Sequence, residues 1–321
     1  MNDQPSWPTV EQLVALPDEE LRKVDPLVMN LVVAKGIPAL ADIDIGHYVQ
    51  SADLWASDIA QRLPSMETHF HRTPAKWKSD IRFFRLGIVC WYVDEILKIT
   101  YPDELANAQG QIYSDPLNVF INGLIDRRRG SCASMPALHV ALGWRLGWPV
   151  SLACAKNHLF CRYDDGEVTH NIEATAFGRG GFRSHPNHLY RECFDLPEIA
   201  ASCGSDLRAV TRREMLGLFV AIRSSHFGAI RDNHRAETGL LLARYLFPQN
   251  RTLYSSQMEA SIERGQDLFD RHEGGHPAHV GDKLREWLRT RAVLTGNTIN
   301  TNEVSNANNH HALRAQVFTT G

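Results

Sequence analysis

Residues 129–138 read RGSCASMPAL and lie where one predicted helix ends and the next begins. Upstream, apolar residues recur every three or four positions over 117–125, as on the buried face of a helix. Three arginines at 127–129 suit the last turn of that helix, because cations complement its dipole there. Gly130 is expected to take a left-handed cap, and Ser131 to cap a new helix over 132–146.

Cys132 is the only cysteine predicted in the first turn of a helix. The partial positive charge of a helix N-terminus favours a thiolate, and its unpaired N–H groups can bind an oxyanion. Pro136 lies near this turn, so the helix start can shift by a residue or two. For any one of the six cysteines the alternative is an ordinary buried thiol. The six are Cys90, Cys132, Cys154, Cys161, Cys193 and Cys203.

A hairpin downstream supplies a histidine and a carboxylate. Its β-type runs, with one before it, are 150–155, 158–163 and 168–174. Asp165-Gly166 is typical of a two-residue type I′ turn. In that register His158 lies directly opposite Glu173, within reach of an imidazole–carboxylate hydrogen bond. A bulge or a four-residue loop would change the register.

These three side chains are the candidate catalytic residues. A thiolate nucleophile needs an imidazole, and the imidazole needs a third group to orient it, so Cys132, His158 and Glu173 form a candidate triad. The alternatives are a half-buried histidine and a solvated strand carboxylate. Cys161 and His170 are also opposite each other in this register, but they lie on the apolar face without a helix start. We interpret that second pair as structural.

Three short motifs resemble the bacterial transglutaminase-like superfamily, which has the papain-like fold. They are RGSC at 129–132, KNHLF at 156–160 and NIEAT at 171–175, supported by YSDPLN at 113–118 and SHP at 184–186. The resemblance implies that Cys132, His158 and Glu173 act in that order along the chain. Many members have aspartate at the acidic position, and some relatives lack the cysteine and do no thiol chemistry.

The expected fold class is α+β, with a papain/transglutaminase-like core in which the cysteine-bearing helix packs on a small antiparallel sheet. A helical N-terminal region is predicted over 1–105, the transglutaminase-like core over 106–200, a helical, tetratricopeptide-like region over 205–294 and a disordered tail over 295–321. Within the C-terminal region, helices are predicted near 236–247, 253–269 and 282–294.

Composition excludes several classes of protein. The 321 residues are 43% hydrophobic and 22% charged with a net charge of −3, so no nucleic-acid or membrane partner is predicted. The N-terminus does not resemble a signal peptide, and the cysteines form no CxxC pair, so a cytoplasmic protein with free thiols is expected.

No cofactor and no metal is predicted. His272, His276 and His279 are interrupted by glycine and proline and lack a companion thiol or carboxylate cluster. The arginines at 127–129 suggest an anion site, but dipole partners are the simpler interpretation. The sequence contains no phosphate loop, dinucleotide fingerprint or calcium loop.

The leading functional hypothesis is a cysteine-dependent acyl-transfer enzyme acting on protein or peptide amides. Cys132 would attack the carbonyl, His158 would protonate the leaving amine and Glu173 would orient His158. Asn118 and Asn122 are candidates for the second oxyanion donor, beside the Cys132 N–H. Hydrolysis, deamidation and transamidation all remain open. The competing hypothesis is an inactive transglutaminase-like domain that binds peptides or acts as a scaffold.

Overall fold

A computed structural model describes residues 6–106, 111–176 and 182–273, with the backbone alone for residue 262 and residues 265–273. Over these residues the chain forms thirteen α-helices and a three-stranded antiparallel sheet, which confirms the α+β class. The helices are α1 (Val10–Ala15), α2 (Asp18–Leu21), α3 (Pro26–Ala34), α4 (Ile45–Arg72), α5 (Ile81–Trp91), α6 (Asp103–Ala106), α7 (Ile121–Arg127), α8 (Met135–Arg145), α9 (Asn187–Cys193), α10 (Glu198–Ser202), α11 (Arg212–Ala229), α12 (Asn233–Leu246) and α13 (Arg251–Glu273).

The N-terminal helices form where the sequence caps them. Thr9 and Gln12 make the reciprocal hydrogen bonds of a capping box at the start of α1. The hydrophobic α3 is buried along its whole length, and its Asn30 side chain accepts from the Ile121 N–H at 3.0 Å. That contact marks the start of α7. The single helix predicted over 117–125 is therefore a 3₁₀ turn, Pro116–Asn118, followed by a separate helix.

The sheet places β2 between its two neighbours. Its strands are β1 (Val150–Ala155), β2 (His158–Asp164) and β3 (Thr169–Ile172), in the order β1-β2-β3. Helix α8 packs against β1 and β2. The outer edge of β1 is covered by the segment before α11, whose Val210 N–H donates to the Leu152 carbonyl at 2.9 Å. The sheet edge is thus paired within the chain.

Three consecutive helices follow the sheet. A capping box of Thr211 and Glu214 starts α11. The helices predicted near 236–247 and 253–269 correspond to α12 and α13, each packed on its neighbour in sequence. The helix predicted at 282–294 and the tail at 295–321 lie outside the described residues. In the described part of the chain no helix combines the length and the apolar character that crossing a membrane requires.

Two apolar clusters make up the core. The larger joins the N-terminal helices, α8, the sheet and the C-terminal helices into one continuous core. The smaller lies on the other face of β2 and includes Phe160, Tyr190 and Phe194. Because β2 packs on both faces, side chains that alternate along it reach two different environments. His158 and Phe160 share the face toward the smaller cluster.

One buried histidine predicts a pH dependence of stability. His139 lies within α8, where Nδ1 donates to the Met135 carbonyl at 2.8 Å and burial lowers the pKa of the imidazole to about 4. Unfolding returns the pKa of His139 to about 6.5, so the unfolded state takes up the proton first as the pH falls. We therefore expect proton uptake by His139 in the unfolded state to lower the free energy of unfolding by about 3 kcal/mol as the pH falls from 6.5 to 4.

Urea unfolding of wild type and His139→Met from pH 7.5 to pH 4.5 measures this dependence. Methionine fills similar space and does not titrate, so the variant should lose less stability on acidification than wild type. His71→Met, at an exposed position of α4, should retain the wild-type slope. Equal slopes for wild type and His139→Met would contradict the assignment.

Candidate active site

Cys132 lies in a turn that leads directly into α8. The Ser131 side chain accepts from the Ala133 N–H at 3.2 Å, and the Ser131 carbonyl accepts from the Met135 N–H at 3.0 Å. Ser131 therefore caps this turn, whereas the N-cap residue of α8 itself is Ser134 and not the predicted Ser131. Along this turn the Cys132 N–H is the one donor that has no acceptor among the described residues. It remains available to an external oxygen atom.

The regular part of α8 begins at Met135, three residues later than the predicted start at 132. The reason is Pro136, which has no N–H to donate to the Cys132 carbonyl. The first helical hydrogen bond, from Met135 to Ser131, is thus not followed by a second. Cys132 therefore lies in the turn that precedes the regular helix and not in its first turn, and its own N–H is unpaired there.

The chain before Cys132 differs from the prediction in its cap. Helix α7 ends at Arg127, and Arg128 adopts the left-handed conformation expected of Gly130, with φ of 54°. Gly130 serves close packing instead. A Cβ atom there would lie 2.7 Å from Leu124 Cδ1 and 2.7 Å from Met135 Cγ. The cysteine turn can therefore pack directly against the end of α7 because residue 130 has no side chain.

The segment before α7 also contacts the cysteine turn. The Ser134 hydroxyl donates to the Asn118 carbonyl at 3.1 Å. Gly123 allows α7 to lie on this segment, since a Cβ there would be 2.0 Å from the Leu117 carbonyl oxygen. Asn118 is 9% exposed, whereas Asn122 is 2% exposed and its Oδ1 has no partner in the described structure. Of the two predicted oxyanion donors, Asn118 is the one bonded to the turn of Cys132.

The hairpin register differs from the prediction by two residues. Asp164 pairs with Thr169, and Cys161 pairs with Ile172, so four residues form the loop. The cause is Asp165, whose side chain accepts from the N–H groups of Glu167 and Val168 at 3.0 and 2.9 Å. This Asx-type capping closes a longer loop than the predicted type I′ turn.

A shift of two residues preserves the face to which each side chain points. His158 and Glu173 are therefore still on one side of the sheet, although they are diagonal neighbours and not directly opposed. His158 Nε2 lies 2.8 Å from Glu173 Oε2. Because an ionised carboxylate only accepts hydrogen bonds, Nε2 is the donor and Nδ1 is the nitrogen left for Cys132.

The electrostatics of the pair favour the charged forms. Burial lowers the pKa of His158, but the charge of Glu173 and hydrogen bonds with Cys132 and Glu173 raise it to about 9. Burial raises the pKa of Glu173, yet the charge and hydrogen bond of His158 hold it below its ordinary value. At neutral pH the pair is thus an imidazolium and a carboxylate.

Two hydroxyl groups that no sequence motif assigned to the site also contact Glu173. Thr175 Oγ1 lies 2.5 Å from Glu173 Oε1, and the Tyr190 hydroxyl lies 3.3 Å from Glu173 Oε2. Phe194 stacks on the His158 ring with 4.8 Å between centroids. Thr175 lies two residues after Glu173 in the NIEAT motif, so the sequence already indicated that its hydroxyl could reach the carboxylate. Tyr190 and Phe194 come from the region of α9, and no local pattern connects them to His158.

Cys161 and His170, the alternative pair of the sequence analysis, each bond to another partner in the described structure. Cys161 is buried and donates its thiol to the Pro136 carbonyl at 3.2 Å, while His170 pairs with Asp80, with Nε2 2.9 Å from Oδ2. Burial raises the pKa of the Cys161 thiol well above its usual range. The contact between Cys161 and Pro136 joins β2 to the first turn of α8. It thereby contributes to holding the strand of His158 beside the turn of Cys132.

The three arginines that suggested an anion site contact other side chains of the protein. Arg127 and Arg129 pair with Asp115 and Glu104 at 2.5 and 2.9 Å, and Arg128 lies over the Trp55 ring. Within the ranges that the structure describes, no group of three histidine, cysteine, aspartate or glutamate side chains could hold a metal ion. His276, His279 and the side chain of His272 lie outside the described part.

Comparison with known proteins gives one match. A family model described as the transglutaminase-like superfamily matches residues 57–216, a segment that contains Cys132, His158 and Glu173 and the whole predicted core. No curated protein and no solved structure matches. Members of this superfamily typically depend on a cysteine. Residues 57–216 are therefore a transglutaminase-like domain, and through it the chain belongs to the transglutaminase-like superfamily.

Proposed function

We propose that the protein is a cysteine-dependent acyl-transfer enzyme that acts on protein or peptide amides through Cys132, His158 and Glu173. One observation carries the proposal: His158 Nε2 lies 2.8 Å from Glu173 Oε2, while interaction with the Cys132 side chain is among the causes that raise the pKa of the same ring. A nucleophile, a base and an orienting carboxylate are thereby aligned in one chain of contacts.

The proposed reaction begins from the charged pair. The Cys132 thiolate attacks the amide carbonyl carbon, the carbonyl π electrons move to oxygen, and the Cys132 N–H donates to that oxyanion. When the intermediate collapses, the C–N bond breaks and His158 gives its Nδ1 proton to the leaving amine or ammonia. Water or a second amine then attacks the thioester, His158 takes its proton, and the Cys132 thiolate leaves. Glu173 stabilises the imidazolium throughout.

Thiol alkylation tests the first requirement of this mechanism. With an imidazolium beside it, Cys132 should react with iodoacetamide at pH 6, where an ordinary thiol with a pKa of ~8.5 is less than about 1% ionised. We expect Cys132 to be labelled before Cys203, which is exposed, and Cys90, which is buried. His158→Ala should slow labelling of Cys132 at pH 6 by at least about tenfold. Peptide mass mapping identifies the labelled site.

A matched histidine variant controls for indirect effects. His170→Ala removes another imidazole that pairs with a carboxylate in the same hairpin, so labelling of Cys132 should stay at the wild-type rate. Labelling of Cys132 no faster than that of Cys90 or Cys203 would refute the proposal. That result would favour a peptide-binding or scaffold domain without thiol chemistry.

A further inference from the structure

The carboxylate of Glu173 accepts four hydrogen bonds, of which His158 supplies only one. Oε1 accepts from the Thr175 N–H at 3.0 Å and from the Thr175 hydroxyl at 2.5 Å. Oε2 accepts from His158 Nε2 at 2.8 Å and from the Tyr190 hydroxyl at 3.3 Å. Glu173 is completely buried. Its charge is therefore compensated by these neighbours and not by bulk water.

Rigid packing holds the Tyr190 hydroxyl in this place. The Tyr190 ring is fully buried and stacks on Phe160 of β2, with 4.1 Å between centroids and 17° between planes. Helix α9, which carries Tyr190, is bonded to the sheet by Asn187, whose Oδ1 accepts from Asn171 Nδ2 at 3.0 Å and from Arg162 at 3.1 Å. The hydroxyl therefore has little freedom to leave the carboxylate.

Each donor to a carboxylate makes the anion less basic. A less basic Glu173 accepts a weaker hydrogen bond from His158 and leaves the imidazolium more acidic. That matters because a general acid works best when its pKa lies near the working pH. A histidine bound too tightly to its carboxylate would keep the proton that the leaving amine needs.

We propose that the Thr175 and Tyr190 hydroxyls are positioning groups of the site, which share the charge of Glu173 with His158 and so keep the imidazolium acidic enough to release its proton. The inference deepens the proposed acyl-transfer function and rests on it. Neither hydroxyl touches the substrate in this scheme. Both act through Glu173.

Several other titratable groups face this pair and bear on its protonation. Burial lowers the pKa of His185, which lies near Glu173 and Arg183. Burial and the Glu173 charge raise the pKa of Tyr190 well above its usual range, so the phenol stays protonated and remains a donor. Among the described residues, the titratable groups that act electrostatically on the pair include Cys132 on the turn before α8, Cys161 on β2, His185 before α9 and Tyr190 on α9, with Arg183 beside His185 and Cys193 beside Tyr190.

Titration of His158 by histidine-selective NMR tests the inference without any substrate. Tyr190→Phe and Thr175→Val each remove one hydroxyl with little change of shape. Each should raise the titration midpoint of His158 by about half to one pH unit, because Glu173 becomes more basic. The same shift should occur in a Cys132→Ala background, where the coupled thiol is absent. A His158→Gln variant assigns the resonance.

Tyr92→Phe is the matched control. The Tyr92 hydroxyl donates to Asp58 at 2.9 Å from a buried ring, so this variant loses the same kind of bond in another part of the protein. It should leave the His158 midpoint unchanged. A midpoint that is unchanged or lower in both Tyr190→Phe and Thr175→Val would overturn the inference. Failure of Cys132 labelling would instead refute the acyl-transfer proposal, and the midpoints would still report on the hydroxyls.

Discussion

Replacement of Glu173 by glutamine is expected to slow acylation of Cys132 by about 10³-fold at pH 7. The carboxylate charge is the largest of the contributions that raise the pKa of His158, and burial opposes it. Without that charge His158 is neutral at pH 7, and the thiolate loses its counterion. The measurement is the single-turnover release of p-nitrophenolate from p-nitrophenyl acetate, with the acylated residue identified by peptide mapping.

The pH dependence of this defect separates it from misfolding. Above about pH 9 a thiol ionises without help, so the difference between Glu173→Gln and wild type should shrink as the pH rises. Glu214→Gln is the matched control, because Glu214 is also a buried carboxylate whose pKa is lowered against burial, here by Arg208. It should lower stability and leave acylation within about threefold of wild type. Acylation by Glu173→Gln within about tenfold of wild type at pH 7 would contradict the assigned role.

The cysteine turn was predictable because its signals are local. Ser131 caps the turn that leads into α8, and Cys132 lies one residue later in that turn. The regular helix starts later because Pro136 cannot donate, an effect whose direction the sequence indicates but whose extent depends on neighbouring packing. The left-handed conformation expected at Gly130 occurs at Arg128 instead. Helix α7 ends at Arg127 and Arg128 is its C-cap, whereas residue 130 has to be small to pack against Leu124 of α7 and Met135.

The hairpin shows how an error can leave a functional prediction intact. Asp165-Gly166 suits a two-residue type I′ turn, but the Asp165 side chain can also close a four-residue loop by accepting from the N–H groups of Glu167 and Val168. The residue types alone do not decide between these two loops. The resulting shift of two residues keeps His158 and Glu173 on one face, whereas a shift of one residue would have separated them. Tyr190 reaches Glu173 only after the chain has folded α9 over β2, so no pattern near either residue could have paired them.

Asn118→Ala is expected to slow acylation of Cys132 by p-nitrophenyl acetate by about 10²-fold, the usual effect of losing one oxyanion donor. The Asn118 carbonyl is tied to the Cys132 turn through Ser134, and the Asn118 side chain has no hydrogen-bond partner among the described residues. The prediction assumes that this amide donates to an oxygen atom bound beside the Cys132 N–H, as the second oxyanion donor. Alkylation by iodoacetamide passes through no oxyanion, so the variant should be labelled at the wild-type rate.

The contrast between those two reactions, together with Asn122→Ala, identifies the role of Asn118. Asn122 lies deeper, at 2% exposed, so its replacement should affect stability and leave acylation within about threefold of wild type. If Asn118→Ala slowed alkylation and acylation equally, its amide would be shaping the cysteine turn and not stabilising a transition state. A larger acylation defect in Asn122→Ala than in Asn118→Ala would assign the donor to α7. Only a loss of acylation with retained alkylation is the result expected of a group that binds the developing negative charge.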